Sequence, residues 1–221
     1  MNLDYTGYFI TPIYSTVIPE WVNPFNKACD KYIKEIKNKN KSFIKNRNKF
    51  LKKNISDFGL SHHSTSLINK EEFKEFQKYI GLLSNKALDH MGYDLTNYEL
   101  FWTDMWVQEF AKNGGGYHEG HIHSDNHISG FYFLKCSDKT SFPVFHDPRL
   151  GKIVTELPLK NDNKTTFATN LINYKPIPGT LIIFPSFLEH QFTIDYGVET
   201  FRFIHFNLQA VRNMIINVYK K

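Results

Sequence analysis

The chain has 221 residues, enough for one sizeable core and short for two full domains. No run of eighteen apolar residues exists, which excludes a membrane-spanning helix, and the start, MNLDYTGYFITPIYSTVIPEW, does not read as a signal peptide. The net charge of +5 sits in one place: residues 27–53 hold eleven Lys or Arg against two acids, leaving sixteen bases and twenty acids elsewhere.

That basic segment could meet nucleic acid or an acidic partner. Its bases alternate with Asn (NKNKSFIKNRNKF), without an Arg-rich code or an aromatic stacking platform. A solvated helix end and loop is the expected reading, and nucleic acid is disfavoured as a partner. Cys29 and Cys136 make neither a disulfide framework nor a CxxC metal site. They are expected to be packed, reduced thiols, which places the protein in a cytoplasm.

In chain order, the N-terminal third reads as helical. Asn23 and Pro24 form an N-cap and N1 pair, followed by a stripe of Val22, Phe25, Cys29, Tyr32 and Ile36. The stretch 54–68 reads as loop. A second helix is predicted from Asn69, with Glu72 completing a capping box; Phe73, Phe76, Ile80, Leu83 and Ala87 form its buried stripe and Gly92 its stop. From about residue 98 the pattern changes to short runs of aromatic and β-branched residues, at 100–110, 128–135, 142–146, 165–173, 180–184, 190–195 and 200–209. Turn residues separate them, as in an all-β sandwich or barrel. The expectation is an α+β fold of 1–221 as a single domain. Residues 1–97 would be a helical support region, and 98–221 a jelly-roll, cupin-like double-stranded β-helix.

Four histidines fall within ten residues, in GGGYHEGHIHSDNH. On a strand, His121 and His123 would project to one face and Ile122 to the other. Two neutral imidazoles side by side can bind one metal ion. A His-rich tract alone would read as a polar loop. His190, in FPSFLEHQF after the strand TLIIFP, could return as a third ligand and complete a facial triad with open positions. Arg202 lies twelve residues further on, in ETFRFIHFN. If it faces the barrel interior, its guanidinium needs an anionic partner; if it faces outward, it is an ordinary surface arginine. Strand parity does not decide this, because Arg202 is in phase with Ile204 and Phe206, and His205 with Phe203 and Asn207.

The sequence resembles the 2-oxoglutarate and Fe(II)-dependent oxygenase superfamily, in particular an oxygenase group found in bacteria and marine phages. The likeness rests on FITPIYSTVIP, WVQEFAKNGGGYHEGHIHSDNHISGFYFLK, FHDPR at 145–149, PGTLIIFPSFLEHQF at 178–192 and FN at 206–207. More distantly, the central motif is similar to that of prolyl hydroxylases, with Phe110 where Tyr is usual and His123 where a carboxylate is usual. His123-x-Asp125 is the alternative that restores the carboxylate, and His121 with His123 is preferred. The resemblance implies a hydroxylase-type dioxygenase that converts 2-oxoglutarate to succinate. Fe(II) would sit on His121, His123 and His190, with O₂ and an unidentified primary substrate as partners and ascorbate as a supporting reductant.

The resemblance also implies that Arg202 meets the distal carboxylate of 2-oxoglutarate. The family's usual Arg-x-Ser is broken here by Ile204, so Gln108, Tyr132 or His205 are the expected compensating contacts. His118 would be a neighbour of the metal ligands or a substrate contact. Asp147-Pro148-Arg149 reads either as a conformational lock, a substrate-side arginine or a tight turn. Two rivals stay open: a three-histidine cupin-type enzyme that needs no 2-oxoglutarate, and a non-catalytic barrel used as a binding module. A homodimer is left open, and no membrane partner is expected.

Overall fold

In the computed structural model, residues 6–155 and 157–213 are described, the side chains of residues 153 and 155 apart. Helix α1 (Val22–Leu51) buries Phe25, Cys29, Tyr32 and Ile33 along one stripe. It runs straight through the basic segment, where a helix end and loop were predicted, because neither Gly nor Pro interrupts it after Pro24. It stops at Lys52 (φ 51°), where the Lys53 amide donates back to the Asn48 carbonyl at 3.2 Å, a left-handed closing turn. Lys41, Lys45, Lys49, Lys52 and Lys53 are exposed.

Helix α2 (Lys74–His90) follows a short 3-10 turn at Glu71–Phe73 and buries Phe76, Ile80, Ala87 and Leu88. The expected capping box does not form. Asn69 adopts φ 62°, and Glu72 is taken up by Lys31 and Tyr32 of α1. The Gly92 stop is present, with φ 92° and its amide donating to Asp89 O at 2.8 Å. Asn23 likewise does not cap α1, which begins one residue earlier.

The strands form two antiparallel sheets. The larger has the order β1 (Tyr14–Val17), β8 (Thr180–Pro185), β5 (Ile128–Lys135), β10 (Arg202–Arg212), β3 (Tyr98–Phe110) and β2 (Ser61–His63). The smaller has the order β4 (His118–His121), β9 (His190–Phe192), β6 (Pro143–His146) and β7 (Leu171–Asn173). Together they make the jelly-roll double-stranded β-helix of an α+β fold. Two edge strands come from the N-terminal region read as helical. One of them, β2, lies in the stretch 54–68 read as loop, and only Leu171–Asn173 of the predicted run 165–173 is strand.

The large sheet is buried on both faces. One face packs Met105, Val107, Tyr132, Ile204 and Phe206 against the two helices. The other packs Phe110, Phe131, Phe133, Phe184, Phe201 and Phe203 against Phe145 and Phe192 of the small sheet. Gly130 lets the helix-side layer close, since a Cβ there would overlap the Phe206 ring and the Ile182 carbonyl. Among the described residues no helix is long and apolar enough to cross a membrane. Both cysteines are free, and burial pushes each thiol up to about 12.

Candidate active site

The barrel's inner face gathers six histidines. His121 ends β4 and is the direct cross-strand partner of His190 on β9. Such partners stand about 4.5–5.5 Å apart at Cβ, and the two rings lie 4.4 Å apart here. β4 ends at His121, yet the alternation carries two residues further. Ile122 is exposed, and the His123 ring lies 5.0 Å from His121 and 5.1 Å from His190. The amide of His123 donates to Ser186 O at 3.0 Å, which fixes the backbone beyond the strand.

One ring nitrogen from each of His121, His123 and His190 can be chosen so that all lie within 4.8 Å of one another. Nε2 of His123 and Nε2 of His190 are 3.3 Å apart. Two imidazole nitrogens bound at right angles to one ion, about 2.0–2.1 Å from it, stand about 3 Å apart, so this pair fits a shared metal. The other ring nitrogens are already engaged. Nδ1 of His121 donates to Glu119 O at 2.7 Å, and Nδ1 of His190 donates to Leu188 O at 3.0 Å. That leaves Nε2 of both as the free lone pair a metal needs.

Nδ1 of His123 lies 3.4 Å from the Asn207 amide nitrogen, which also donates to Asp104 at 3.2 Å. Asn207 Oδ1 accepts from Ser129, whose hydroxyl also meets Ser186. This buried chain holds His123 in place. Asn207→Leu is expected to lower Fe(II) affinity about 10–100-fold, the usual cost of losing an outer hydrogen bond to a ligand. Metal titration with fluorescence or calorimetric readout checks it; unchanged affinity contradicts it.

Burial is the first cause of low basicity throughout the cluster. It takes His63 and His123 down to about 4, and His118 and His190 down to about 3; His205 is also held well below the ordinary value. Neighbouring imidazoles add to the effect. The rings are therefore neutral in the fold at pH 7. The same residues in an unfolded chain take up protons near pH 6.5. Below that pH the unfolded state binds more protons, so metal-free stability falls as the solution is acidified from about 6.5 toward 4. Thermal melts of metal-free protein across this window should show a falling midpoint; a flat profile contradicts the neutral assignment.

The structure brings some of the expected co-substrate contacts to this pocket and not others. Gln108 lines it and is 0 % exposed. His205 lines it too, 4.6 Å ring to ring from His123, with no hydrogen-bond partner for its buried Nε2 among the described residues. Arg202 points the other way, into the layer beneath α1. Its Nε and Nη2 donate to Glu109 Oε2 at 2.7 and 2.6 Å, and its Nη1 donates to Asp30 at 2.8 Å and to Asn26 O at 3.2 Å. The anion it requires is a protein carboxylate, which corrects the expectation of a bound co-substrate there. Tyr132 is corrected for the same reason of parity: it lies on the helix side and donates to Ile18 O at 2.5 Å.

The alternative ligand Asp125 is exposed, in a turn with φ 62°, and is not among the clustered ligand atoms. His127 leaves the cluster, accepting the Ala210 amide at 3.1 Å. Arg149 closes a two-pronged pair onto Asp147 at 2.9 and 2.6 Å, so the Asp147-Pro148-Arg149 motif is a locked turn. Residues missed in the sequence are Ser61, His63 and Trp106. His63 stacks on His118 at 5.1 Å and on Trp106 at 5.9 Å. Its strand is three residues long, too short to show an alternating pattern.

A jelly roll with an inward triad of metal-ligating histidines defines a member of the 2-oxoglutarate/Fe(II) oxygenase superfamily, and the chain belongs to it. Residues 104–207 match the family model described as "Putative 2OG-Fe(II) oxygenase". No curated protein is matched. Among solved structures, a Pseudomonas putida prolyl-4-hydroxylase is 8% identical with a TM-score of 0.53, over 90% of this chain and 93% of that one. SnoN, a non-heme alpha-ketoglutarate-dependent epimerase from nogalamycin biosynthesis, is 8% identical with a TM-score of 0.57, over 91% and 81%. A viral collagen prolyl hydroxylase from Paramecium Bursaria Chlorella virus-1 is 13% identical with a TM-score of 0.51, over 96% and 99%. These likenesses are of fold.

Proposed function

We propose that the protein is a 2-oxoglutarate-dependent hydroxylase that uses Fe(II) held by His121, His123 and His190. The overall reaction would insert one atom of O₂ into a C–H bond of the substrate. The other atom would enter succinate as 2-oxoglutarate loses CO₂. The observation that carries this reading is the convergence of three inward imidazoles, two of them with Nδ1 fixed by backbone carbonyls. The bound iron would supply the oxygen activation.

The protein's own residues do the rest. The hydrogen bonds to Glu119 O and Leu188 O aim two lone pairs at one point. Phe131 and Phe184 sit 5.5 and 4.9 Å from the His190 ring and exclude water on that side. An all-histidine triad brings no negative charge to the ion, which favours an anionic co-substrate beside it. His205 Nε2 is free to meet a ligand oxygen in the pocket.

One observation favours a second reading, a three-histidine oxygenase that uses no 2-oxoglutarate: none of the described residues lining the pocket is Lys or Arg. A turnover assay separates the two. Protein supplied with Fe(II), ascorbate, O₂ and 2-oxoglutarate, without primary substrate, should form succinate slowly, followed by NMR. Loss of neither 2-oxoglutarate nor O₂ beyond the metal-only control overturns the first reading.

A further inference from the structure

The pocket poses a problem of charge. A five-carbon dicarboxylate bound at the triad carries a second carboxylate away from the metal, and that group must be matched when buried. On β10, Arg202 is committed to Glu109 and Asp30. The closed end of the barrel is filled by Phe110, Phe133, Phe201 and Phe203 and offers no donor. The remaining polar wall is formed by β2, β3 and β4.

There, four groups converge. Gln108 Nε2 donates to Ser61 Oγ at 2.5 Å and lies 2.6 Å from His118 Nε2. Nε2 of His63 lies 3.2 Å from the same His118 Nε2. The indole N–H of Trp106, a donor only, faces Gln108 Oε1 at 3.4 Å and so turns the amide NH₂ toward the cluster. His118 Nε2 has either one lone pair or one hydrogen and cannot satisfy both neighbours. Whichever it carries, at least one of those two contacts is left unmatched. A carboxylate oxygen between them would accept from the Gln108 amide and from a histidine N–H together. The His118 ring stands 5.6 Å from the ligand His121, a span suited to the two methylenes of 2-oxoglutarate.

We propose that Gln108, His118 and His63, with Ser61 behind them, form the seat for the distal carboxylate of 2-oxoglutarate, in place of an arginine. The proposal rests on the 2-oxoglutarate reading above. The cavity beside these residues is about 10 Å³, room for one water at most, so the co-substrate enters as the Gln108–His118 contact opens.

The test is an anaerobic titration of the Fe(II)-loaded protein, following the metal-to-ligand charge-transfer band. The two probes are 2-oxoglutarate and 2-oxopentanoate, which has the same keto acid and chain length without the distal carboxylate. Wild-type protein should bind 2-oxoglutarate more tightly. Gln108→Leu and His63→Phe should each weaken 2-oxoglutarate about 10–100-fold, as expected for loss of a hydrogen bond to a charged group. Both variants should bind 2-oxopentanoate and Fe(II) as before. A wild type with no preference, or a preference surviving in both variants, overturns the seat alone. No band with either keto acid overturns the co-substrate reading and the seat with it. Circular dichroism and iron content of each variant identify a folding failure, and Ser61→Ala, at the margin of the cluster, then serves as the second variant, expected to weaken 2-oxoglutarate selectively.

Discussion

Arg202→Ala is expected to destabilise the protein by about 3–5 kcal/mol, the usual consequence of removing one partner from a buried ion pair. Arg202 is 4 % exposed and joins three elements. It holds Glu109 of β3, and it reaches Asp30 and Asn26 of α1 from its own strand, β10. Lys37 reaches Glu109 from the same helix at 2.5 Å, so the four charges clamp the helix onto the sheet. Without the guanidinium, Glu109 keeps only Lys37, and its carboxylate remains buried. Arg202→Met with Glu109→Gln should recover part of the loss, because both charges leave together. Chemical denaturation of the metal-free proteins checks the magnitude. In folded Arg202→Met/Glu109→Gln protein, 2-oxoglutarate affinity should stay near wild type. A large, selective loss of that affinity would return Arg202 to the co-substrate site.

His190→Ala is expected to abolish stoichiometric Fe(II) binding and to reduce any iron-dependent turnover by more than about 100-fold, exceeding what the loss of an outer-sphere partner costs. His190 is 0 % exposed, is the cross-strand partner of His121, and is enclosed by Phe131, Phe145 and Phe184. No described side chain stands ready to replace it, since Asp125 lies exposed in its turn. His123→Asp is the informative companion. It introduces the carboxylate common in the broader superfamily, and it should retain metal if the triad position tolerates either ligand type. Iron content after desalting, with circular dichroism as the folding control, reads both variants. Full iron occupancy in His190→Ala contradicts the triad.

The strongly patterned parts of the chain were legible. β5 falls on the expected 128–135, and β8 and β10 extend the runs at 180–184 and 200–209 by a few residues. The inward pairing of His121 and His123 follows from alternation alone, even though the strand ends at His121. What alternation could not give was the direction of Arg202 and Tyr132. The large sheet is covered by helices on one face and by the small sheet on the other, so both faces carry Phe and Ile and neither marks the pocket. The cation that looked like a co-substrate anchor is instead balanced by Glu109, its cross-strand partner, which sequence spacing hides behind 93 intervening positions. His63 was hidden for another reason: β2 is held by three residues of pairing with β3 and by the contacts of His62 with Asp57 and Asn40, none of which leaves a periodic signal.

The basic segment resolves into a long helix with exposed lysines. Some of its charge is used internally, through Lys31 on Glu72, Lys37 on Glu109 and Lys39 on Glu35. The remainder faces solvent, as expected for a solvated helix.

The most direct test of the all-histidine centre is a crystal structure of Fe(II)-loaded protein with anomalous data at the iron edge. The account predicts one strong peak within bonding distance of His121, His123 and His190, each through Nε2, with no protein carboxylate bound. A peak bound by Asp125 in place of His123, or no peak among these three histidines in iron-replete protein, would contradict it.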